Sequence, residues 1–240
     1  MSGFEDTLTY SLLVHNKYIF RSRISEAQFR KFLHLFIIDM EATKITVLTG
    51  LNRNTVNRMI RLLRIRLARL CEQEYQHQSG VFELDECYLG ARRVRGKRGR
   101  GAKGKTILFG LYERISGKAY VRIVSNVKRQ TLMKVIKSKI TYDSTIYTDG
   151  FHVYDSLLEQ GFQNHSRVLH GENEFVRGVA HVNGMEGFWS FLKTRLSKFR
   201  GLGKKAHIFL HVKECEYRFN HRGEDLYTLI LTNLRNSPIS

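Results

Sequence analysis

Three acidic residues lie where a chain rarely places a carboxylate without a functional reason. Asp85 lies inside the strand-like run 81–89 (VFELDECYL), Asp149 ends a second such run at 145–149 (TIYTD), and Glu186 begins a helical pattern. Aspartate is depleted in strands, and a buried carboxylate is costly unless it is paired or bound to a metal. We therefore expect a metal site formed by two strand aspartates and one helix glutamate.

The chemistry of such a site follows from its charges. Carboxylates placed close together ionise as a set only beside a cation, and ligation by oxygen alone favours Mg²⁺ or Mn²⁺ over zinc. Two ions about 4 Å apart would promote an in-line displacement at a phosphodiester. Lys193 follows Glu186 by two helical turns on the same face, where it would hold a phosphate. The alternative for Lys193 is a solvated helix lysine.

Each acid also has an ordinary alternative. Asp149 precedes a glycine and would suit a turn, Glu186 would suit a helix start, and Asp85 would suit an ion pair. Glu83 and Glu86 flank Asp85 in the same strand, so the choice among these three acids stays open.

Charge and size limit the class of protein. The 240 residues carry 40 Lys and Arg against 22 Asp and Glu, a net charge of +18, which favours a polyanionic partner such as DNA. The length suits one catalytic domain and a small helical one. Three scattered cysteines indicate neither a disulfide framework nor a zinc ribbon. With no secretory signal and no apolar stretch of membrane length, we expect a cytoplasmic protein without membrane association.

The N-terminal third, from residue 25 to about 78, has helical periodicity. One apolar stripe comprises Phe29, Phe32, Leu33 and Phe36, and another comprises Val56, Met59, Ile60, Leu63 and Leu67. Between them, Gly50 suits a turn and Asn52 suits a helix cap, as in a helix-turn-helix. Its second helix would present these residues to a DNA major groove: Arg53, Asn54, Asn57, Arg58 and Arg61. The alternative is a bundle that only packs on the catalytic domain or on a second subunit.

Beyond Gly80 the pattern predicts an α/β sheet covered by helices. Strands are expected at 81–89, 105–113, 118–125, 145–149 and 167–170, and helices at 129–140, 151–160 and from Glu186 onward. The last helix has an apolar stripe that should dock on the sheet: Met185, Phe188, Trp189, Leu192, Leu196 and Phe199.

A basic, glycine-rich segment (RRVRGKRGRGAKGK) joins the first two predicted strands. It contains eight basic residues and no acid, and we expect it to be disordered until it meets a phosphate backbone. The alternative is a solvated loop. Its candidate DNA contacts are Arg92, Arg93, Arg95, Lys97, Arg98, Arg100, Lys103 and Lys105.

Four sequence segments, LDECYLG, YTDGFHVYDSL, HVNGMEGFWSFLKTRLSKFRG and KECEYRFNHR, occur in order between about residues 82 and 222. Together they resemble the signatures of bacterial insertion-sequence transposases of the ISXO type, in the fifteen-ninety-five family. The resemblance implies an RNase H-like domain with a mixed sheet, in which Asp85, Asp149 and Glu186 are the DDE ligands. It further implies that Lys193 contacts DNA.

The resemblance also concerns four further residues. Some members of the group are described with asparagine at the third acidic position, so Asn183 could share or take the role of Glu186. His181, Arg218 and Asn220 match family positions whose chemistry does not follow from the sequence, and packing or capping is an equal alternative for them. Many relatives carry an N-terminal zinc-binding segment, which this chain lacks, and the chain looks like a short, complete version of the family.

The resulting expectation is a transposase that cleaves its own terminal inverted repeats and joins the freed 3′-hydroxyl to target DNA, using two Mg²⁺ or Mn²⁺ ions. Residues 1–78 would bind DNA, residues 79–222 would form the RNase H-like catalytic domain, and residues 223–240 would form a tail. Synapsis of two ends implies a homodimer or a larger assembly, associated with the bacterial nucleoid. The alternatives are a noncatalytic, repurposed transposase that binds DNA, and a nuclease without strand joining.

Overall fold

The computed structural model describes residues 16–90, 105–149, 152–168, 183–199 and 205–240. The chain divides into two compact units, one comprising Met1–Leu63 with Glu224–Ser240 and the other comprising Arg64–Gly223. Within the described ranges, no helix is long and apolar enough to cross a membrane. The functional domain boundaries expected from the sequence, at residues 78 and 222, stay a prediction.

The first unit contains helices α1 (Glu26–Ile37) and α2 (Ala42–Thr49) and the start of α3 (Arg53–Glu74). Ser25 caps α1 in a capping box with Gln28. The two predicted apolar stripes are confirmed, because all of their members are buried: Phe29, Phe32, Leu33, Phe36, Val56, Met59, Ile60, Leu63 and Leu67.

The turn between α2 and α3 contains the glycine and the asparagine cap that the sequence predicted. Gly50 ends α2 in the left-handed region, at φ 70°, which favours glycine because it has no Cβ. The Asn52 side chain then accepts a 2.8 Å hydrogen bond from the Asn54 backbone N–H at the start of α3. Both predicted roles, the glycine turn and the asparagine cap, are confirmed.

A further helix, α7 (Leu226–Asn236), belongs to the first unit. It lies within residues 223–240, which the sequence predicted to be a tail. Asp225 caps it by accepting from the backbone N–H groups of Tyr227 and Thr228. The Tyr227 ring meets His34 of α1 edge-on at 6.0 Å between ring centroids. The C-terminal residues are therefore part of the packed first unit.

The second unit is built on a five-stranded mixed sheet. Its strands are β1 (Val81–Leu89), β2 (Thr106–Glu113), β3 (Lys118–Val124), β4 (Thr145–Asp149) and β5 (Asn164–Val168), in the spatial order β3-β2-β1-β4-β5. The first three strands form an antiparallel meander, and β4 and β5 add in parallel to β1. The fifth strand begins before the predicted run at 167–170. The fold is RNase H-like, with helices on both faces of the sheet.

Helix α4 (Arg129–Lys139) and a 3-10 helix (His152–Gln160) connect the strands on one face. The 3-10 helix stands where the pattern predicted a helix at 151–160. Helices α5 (Asn183–Ser197) and α6 (Lys205–Asn220) contribute to the core on the other face. Strand alternation separates the two cores, so Phe82 and Leu84 face one while Cys87 faces the other.

Helix α6 covers the edge of the sheet along β3. Asn220 accepts from the Ala119 backbone N–H at 2.7 Å and donates to the Ala119 carbonyl at 2.8 Å. The buried Glu216 carboxylate accepts from the Val121 N–H at 3.0 Å. These side chains satisfy backbone groups that an edge strand would otherwise leave unpaired.

A buried carboxylate also ties three helices of the second unit together. Glu214 of α6 accepts from Arg64 of α3 at 2.7 Å, from Arg195 of α5 at 2.6 Å and from Arg218 at 3.0 Å. Burial opposes ionisation of Glu214, but the three guanidinium groups outweigh it and hold its pKa well below the usual value. The buried Arg195 of α5 thereby has an ionised partner at the helix interface.

Gly110 of β2 sets how closely α5 approaches the sheet. A Cβ added to Gly110 would lie 2.5 Å from the Met185 methyl carbon and 2.7 Å from Trp189 Cζ2. Both neighbours are buried side chains of α5, so neither has open space into which to move.

We predict that Gly110→Ala destabilises the second unit by about 1–3 kcal/mol, because the added methyl group overpacks the interface. Gly187→Ala is the matched control, since its added Cβ would have no neighbour within 4 Å and alanine favours helix. Urea unfolding followed through the fluorescence of Trp189, the only tryptophan, measures both variants. Equal stability of Gly110→Ala and the wild type would contradict the proposed close packing.

Candidate active site

The sheet register places the two predicted aspartates side by side in the backbone. Leu84 of β1 pairs with Thr148 of β4 in the parallel part of the sheet. Asp85 and Asp149 are the next residues on these two strands, so they occupy neighbouring positions at the same end of the parallel pair. The position of the Asp149 backbone is described, and its side chain lies outside the described part of the structure.

Strand alternation separates the three acids of β1 between the faces of the sheet. Glu83 and Asp85 both bond to α5, on one face. Glu86 points to the other face, where it accepts a hydrogen bond from the Tyr154 hydroxyl. Only Glu83 and Asp85 therefore face the helix that carries Glu186.

Glu83 is occupied by an ion pair and a helix terminus. Its fully buried carboxylate accepts from Arg114 Nε at 2.8 Å and from the Met185 backbone N–H at 2.9 Å. Arg114 in turn lies over the Tyr147 ring, 4.0 Å from its centroid. A carboxylate at a helix N-terminus satisfies an N–H group that has no intrahelical partner. Glu83 thus anchors the first turn of α5.

Asp85 makes the second contact between β1 and α5. Its Oδ2 accepts from Trp189 Nε1 at 2.9 Å, and its Oδ1 accepts from the Glu86 backbone N–H at 2.7 Å. Asp85 is half-buried, in contrast to the fully buried Glu83. Glu186 lies in α5 between Met185 and Trp189, the two residues that bond to β1. The first turns of α5 are thus fixed against the strand that carries Asp85.

The polar stripe predicted on α5 is exposed to solvent. Asn183, Glu186 and Lys193 are all exposed, next to the buried stripe of the same helix. Burial raises the pKa of the Cys87 thiol, the nearby Lys193 ammonium lowers it, and the Asp85 carboxylate raises it. Cys87 and Asp85 both lie on the face of β1 that α5 covers.

Other predicted site residues lie outside the described ranges or elsewhere in the fold. His181 and the basic segment from Arg92 to Lys103 lie outside the described residues, so their predicted roles are untested. Lys105 is half-buried immediately before β2. Within the described ranges, no group of three or more His, Cys, Asp or Glu side chains is arranged to hold a metal ion. Such a group would here require the side chain of Asp149.

The predicted DNA-reading residues share one property, which is exposure at the start of α3. The exposed residues are Arg53, Asn54, Asn57, Arg58 and Arg61. The guanidinium of Arg53 also bonds to the Thr43 hydroxyl of α2. The intervening residues Val56, Met59 and Ile60 are buried, so the helix presents one polar face to solvent.

Arg218 and Asn220 have structural contacts, which the sequence left open. Arg218 bonds to Glu214, and Asn220 bonds to the backbone of β3. The sequence pattern missed one polar contact at the site, because Trp189 was assigned only to the apolar docking stripe. Its indole N–H is a donor that needs a partner when buried, which is the signal that predicts such a contact.

The strand order and register, with acids next to each other on the central strands β1 and β4, define a member of the RNase H-like class. Residues 78–220 match the ISXO2-like transposase domain, and this match covers more than half of the chain. The chain belongs to the ISXO2-like transposase family, which confirms the family resemblance seen in the sequence.

Two curated relatives carry descriptions of the same kind. An uncharacterized transposase-like protein of Haemophilus influenzae is 40% identical over 104 residues, covering 43% of this chain and 82% of its own. An uncharacterized protein in transposable element ISH50 of Halobacterium salinarum is 32% identical over 153 residues, covering 58% of this chain. This alignment spans only 52% of the Halobacterium protein.

Solved structures of viral integrases are more distant. The catalytic core domain of BIV integrase has 12% identity and a TM-score of 0.37, and the match covers 66% of this chain and 98% of that one. The HTLV-2 integrase catalytic core domain, in complex with magnesium in a dimeric form, has 13% identity and a TM-score of 0.35. It covers 59% of this chain and 85% of that one. The fold assignment made above rests on strand order and register.

We predict that the three acids of β1 respond differently to loss of charge. Glu83→Gln should cost about 3–5 kcal/mol of unfolding free energy, because it leaves the nearly buried Arg114 without its ionised partner. Asp85→Asn should cost less, about 1–2 kcal/mol, because one of the two N–H donors to this half-buried group would then face an amide NH₂. Glu86→Gln, the matched control, should stay within about 1 kcal/mol of the wild type, since an amide oxygen still accepts from Tyr154. Urea unfolding measures all three. A stable Glu83→Gln with an unstable Asp85→Asn would reverse the assigned roles.

Proposed function

We propose that the protein is a DNA transposase that binds the terminal inverted repeats of an insertion sequence, cleaves the DNA there and transfers the freed strand to target DNA. The observation that supports this most is the sheet register, which sets Asp85 beside Asp149 at the end of the parallel β1–β4 pairing, while the first turns of α5, which carry Glu186, bond to Glu83 and Asp85. Membership of a transposase family supports the same reaction class.

Asp85, Asp149 and Glu186 are the residues that would hold divalent metal. The donor set fits Mg²⁺ or Mn²⁺, because carboxylate oxygens are the ligands these ions prefer, and we expect two ions. The hydrogen bonds that Asp85 accepts from Trp189 and from the Glu86 backbone N–H are compatible with ligation, since each carboxylate oxygen has two lone pairs. When bound, such ions activate the attacking hydroxyl and stabilise the leaving oxygen. Asn183, exposed at the start of α5, is the candidate to share the third ligand role.

Lys193 would hold a phosphate next to the acids. It follows Glu186 by two turns on the same exposed face of α5. An ammonium group there would attract a phosphate of the bound strand and place it beside the acids without donating a ligand to the metal.

The DNA itself would be bound mainly by charge. The net charge of +18 attracts phosphates. The basic segment from Arg92 to Lys105 concentrates positive charge in one part of the chain. The exposed face of α3 would read bases or phosphates of the terminal repeat. We extend the proposal to 1–78 as the DNA-binding region and 79–222 as the catalytic region, acting on chromosomal DNA in the cytoplasm. A homodimer or larger assembly would hold two ends.

The test of this function is a gel assay of purified full-length protein on labelled DNA that carries the flanking ends. With Mg²⁺ or Mn²⁺ we expect nicked and then joined products, lost in chelator and reduced roughly a hundredfold or more in Asp149→Asn. Binding of the same DNA should persist in the variant. Binding without cleavage, whatever the metal, would replace the proposal with a noncatalytic DNA-binding protein, and cleavage without joining would replace it with a nuclease.

Two substitutions in α3 distinguish side chains that contact DNA bases from side chains that contact phosphates. Asn57→Ala should weaken binding to the terminal repeat alone by about 1–3 kcal/mol, whereas Arg58→Ala should weaken binding to all DNA and reduce the salt slope by about 1. Lys31→Ala, an exposed lysine of α1 in the same unit, is the matched control. Fluorescence anisotropy at several salt concentrations measures each. If all three variants bind alike, α3 does not contact DNA.

A further inference from the structure

Trp189 is a core residue whose polar atom reaches a candidate metal ligand. Its side chain is only 4% exposed, yet its indole N–H donates to Asp85 Oδ2 at 2.9 Å. Phe188, the preceding residue, packs edge-on against it with ring centroids 5.2 Å apart. The indole therefore has little rotational freedom, and its N–H direction is fixed by packing.

The neighbouring strand β2 has a glycine where this indole packs. Gly110 pairs with Asp85 across β1 and β2, and a Cβ there would lie 2.7 Å from Trp189 Cζ2. A residue larger than glycine would thus push the indole away from the carboxylate. On the same helix, a Cβ at Gly184 would lie 2.1 Å from the Tyr112 ring of β2, so a second close approach fixes the helix in place.

We infer that Trp189 is a positioning residue, whose indole N–H orients the Asp85 carboxylate for binding a divalent metal ion. The inference rests on the proposed function. A fixed donor on one carboxylate oxygen sets the plane of the group, and with it the direction in which the remaining lone pairs point. The helix that carries Glu186 would therefore also orient the ligand provided by the strand.

A purely structural tryptophan would have a different signature. An apolar replacement of similar shape would then reduce stability without changing the metal affinity of the folded protein. Trp189→Phe removes the indole N–H and retains an aromatic ring. Leu196→Val, the matched control, removes a similar volume from the buried stripe of the same helix, two turns beyond Trp189, at a residue without a polar contact to Asp85.

The test measures Mn²⁺ binding to the full-length protein, using the electron paramagnetic resonance signal of free Mn²⁺, at a temperature where thermal denaturation shows every variant folded. We expect Trp189→Phe to bind Mn²⁺ about 10–100-fold more weakly than the wild type. Leu196→Val and Glu86→Gln should bind as the wild type does, and Asp85→Asn and Asp149→Asn should lose binding. Mg²⁺ should also shift the single indole ¹⁵N–¹H resonance of the wild type, and this shift should be absent in Asp149→Asn.

The outcomes distinguish the inference from the function on which it rests. Wild-type affinity in Trp189→Phe, with binding lost in Asp85→Asn, would overturn the positioning role and leave the transposase proposal standing. Equal weakening in Trp189→Phe and Leu196→Val would also overturn it, in favour of packing alone. If the wild type binds no Mn²⁺, or if the aspartate variants bind it unchanged, both the inference and the proposed metal site fail.

Discussion

The contact between strand β1 and helix α5 is the interaction on which the candidate site depends. Two carboxylates of one strand, Glu83 and Asp85, accept hydrogen bonds from the backbone and from a side chain of the first turns of this helix. A buried carboxylate is expensive to desolvate, and Glu83 is tolerated because Arg114 neutralises it and a helix N-terminus shares its charge. The half-buried Asp85 needs less compensation, which suits a ligand that must also meet solvent and metal.

The remainder of the second unit keeps that helix in place. The segment KECEYRFNHR, which resembles a family signature, supplies side chains that pair charges and cover a sheet edge. Glu214 gathers guanidinium groups from α3, α5 and α6, and Asn220 bonds to the backbone of β3. A motif dense in ionisable residues can thus be architectural, because charges that pair with one another inside a protein specify how helices dock.

The secondary-structure elements that follow from the local pattern of apolar residues could be predicted from the sequence. The strand-like run 81–89 and the helical periodicity around Met185 and Phe188 predicted these elements, and the periodicity also predicted the buried face of the helix, since this period follows from backbone geometry alone. The choice among Glu83, Asp85 and Glu86 could not be made locally, because it depends on which sheet face α5 covers and on the partner Arg114 from another strand. The polar role of Trp189 was hidden for the same reason. A buried indole looks apolar until its acceptor, 104 residues earlier in the chain, is known.

We propose that Asp85, Asp149 and Glu186 bind divalent metal beside the N-terminal turns of α5. Diffraction from crystals of the full-length protein soaked in Mn²⁺, collected at the manganese absorption edge, tests it most directly. We expect anomalous density about 2.2 Å from carboxylate oxygens of these three residues. Density at Glu83 or Glu86 instead, or none near the ends of β1 and β4, would contradict it.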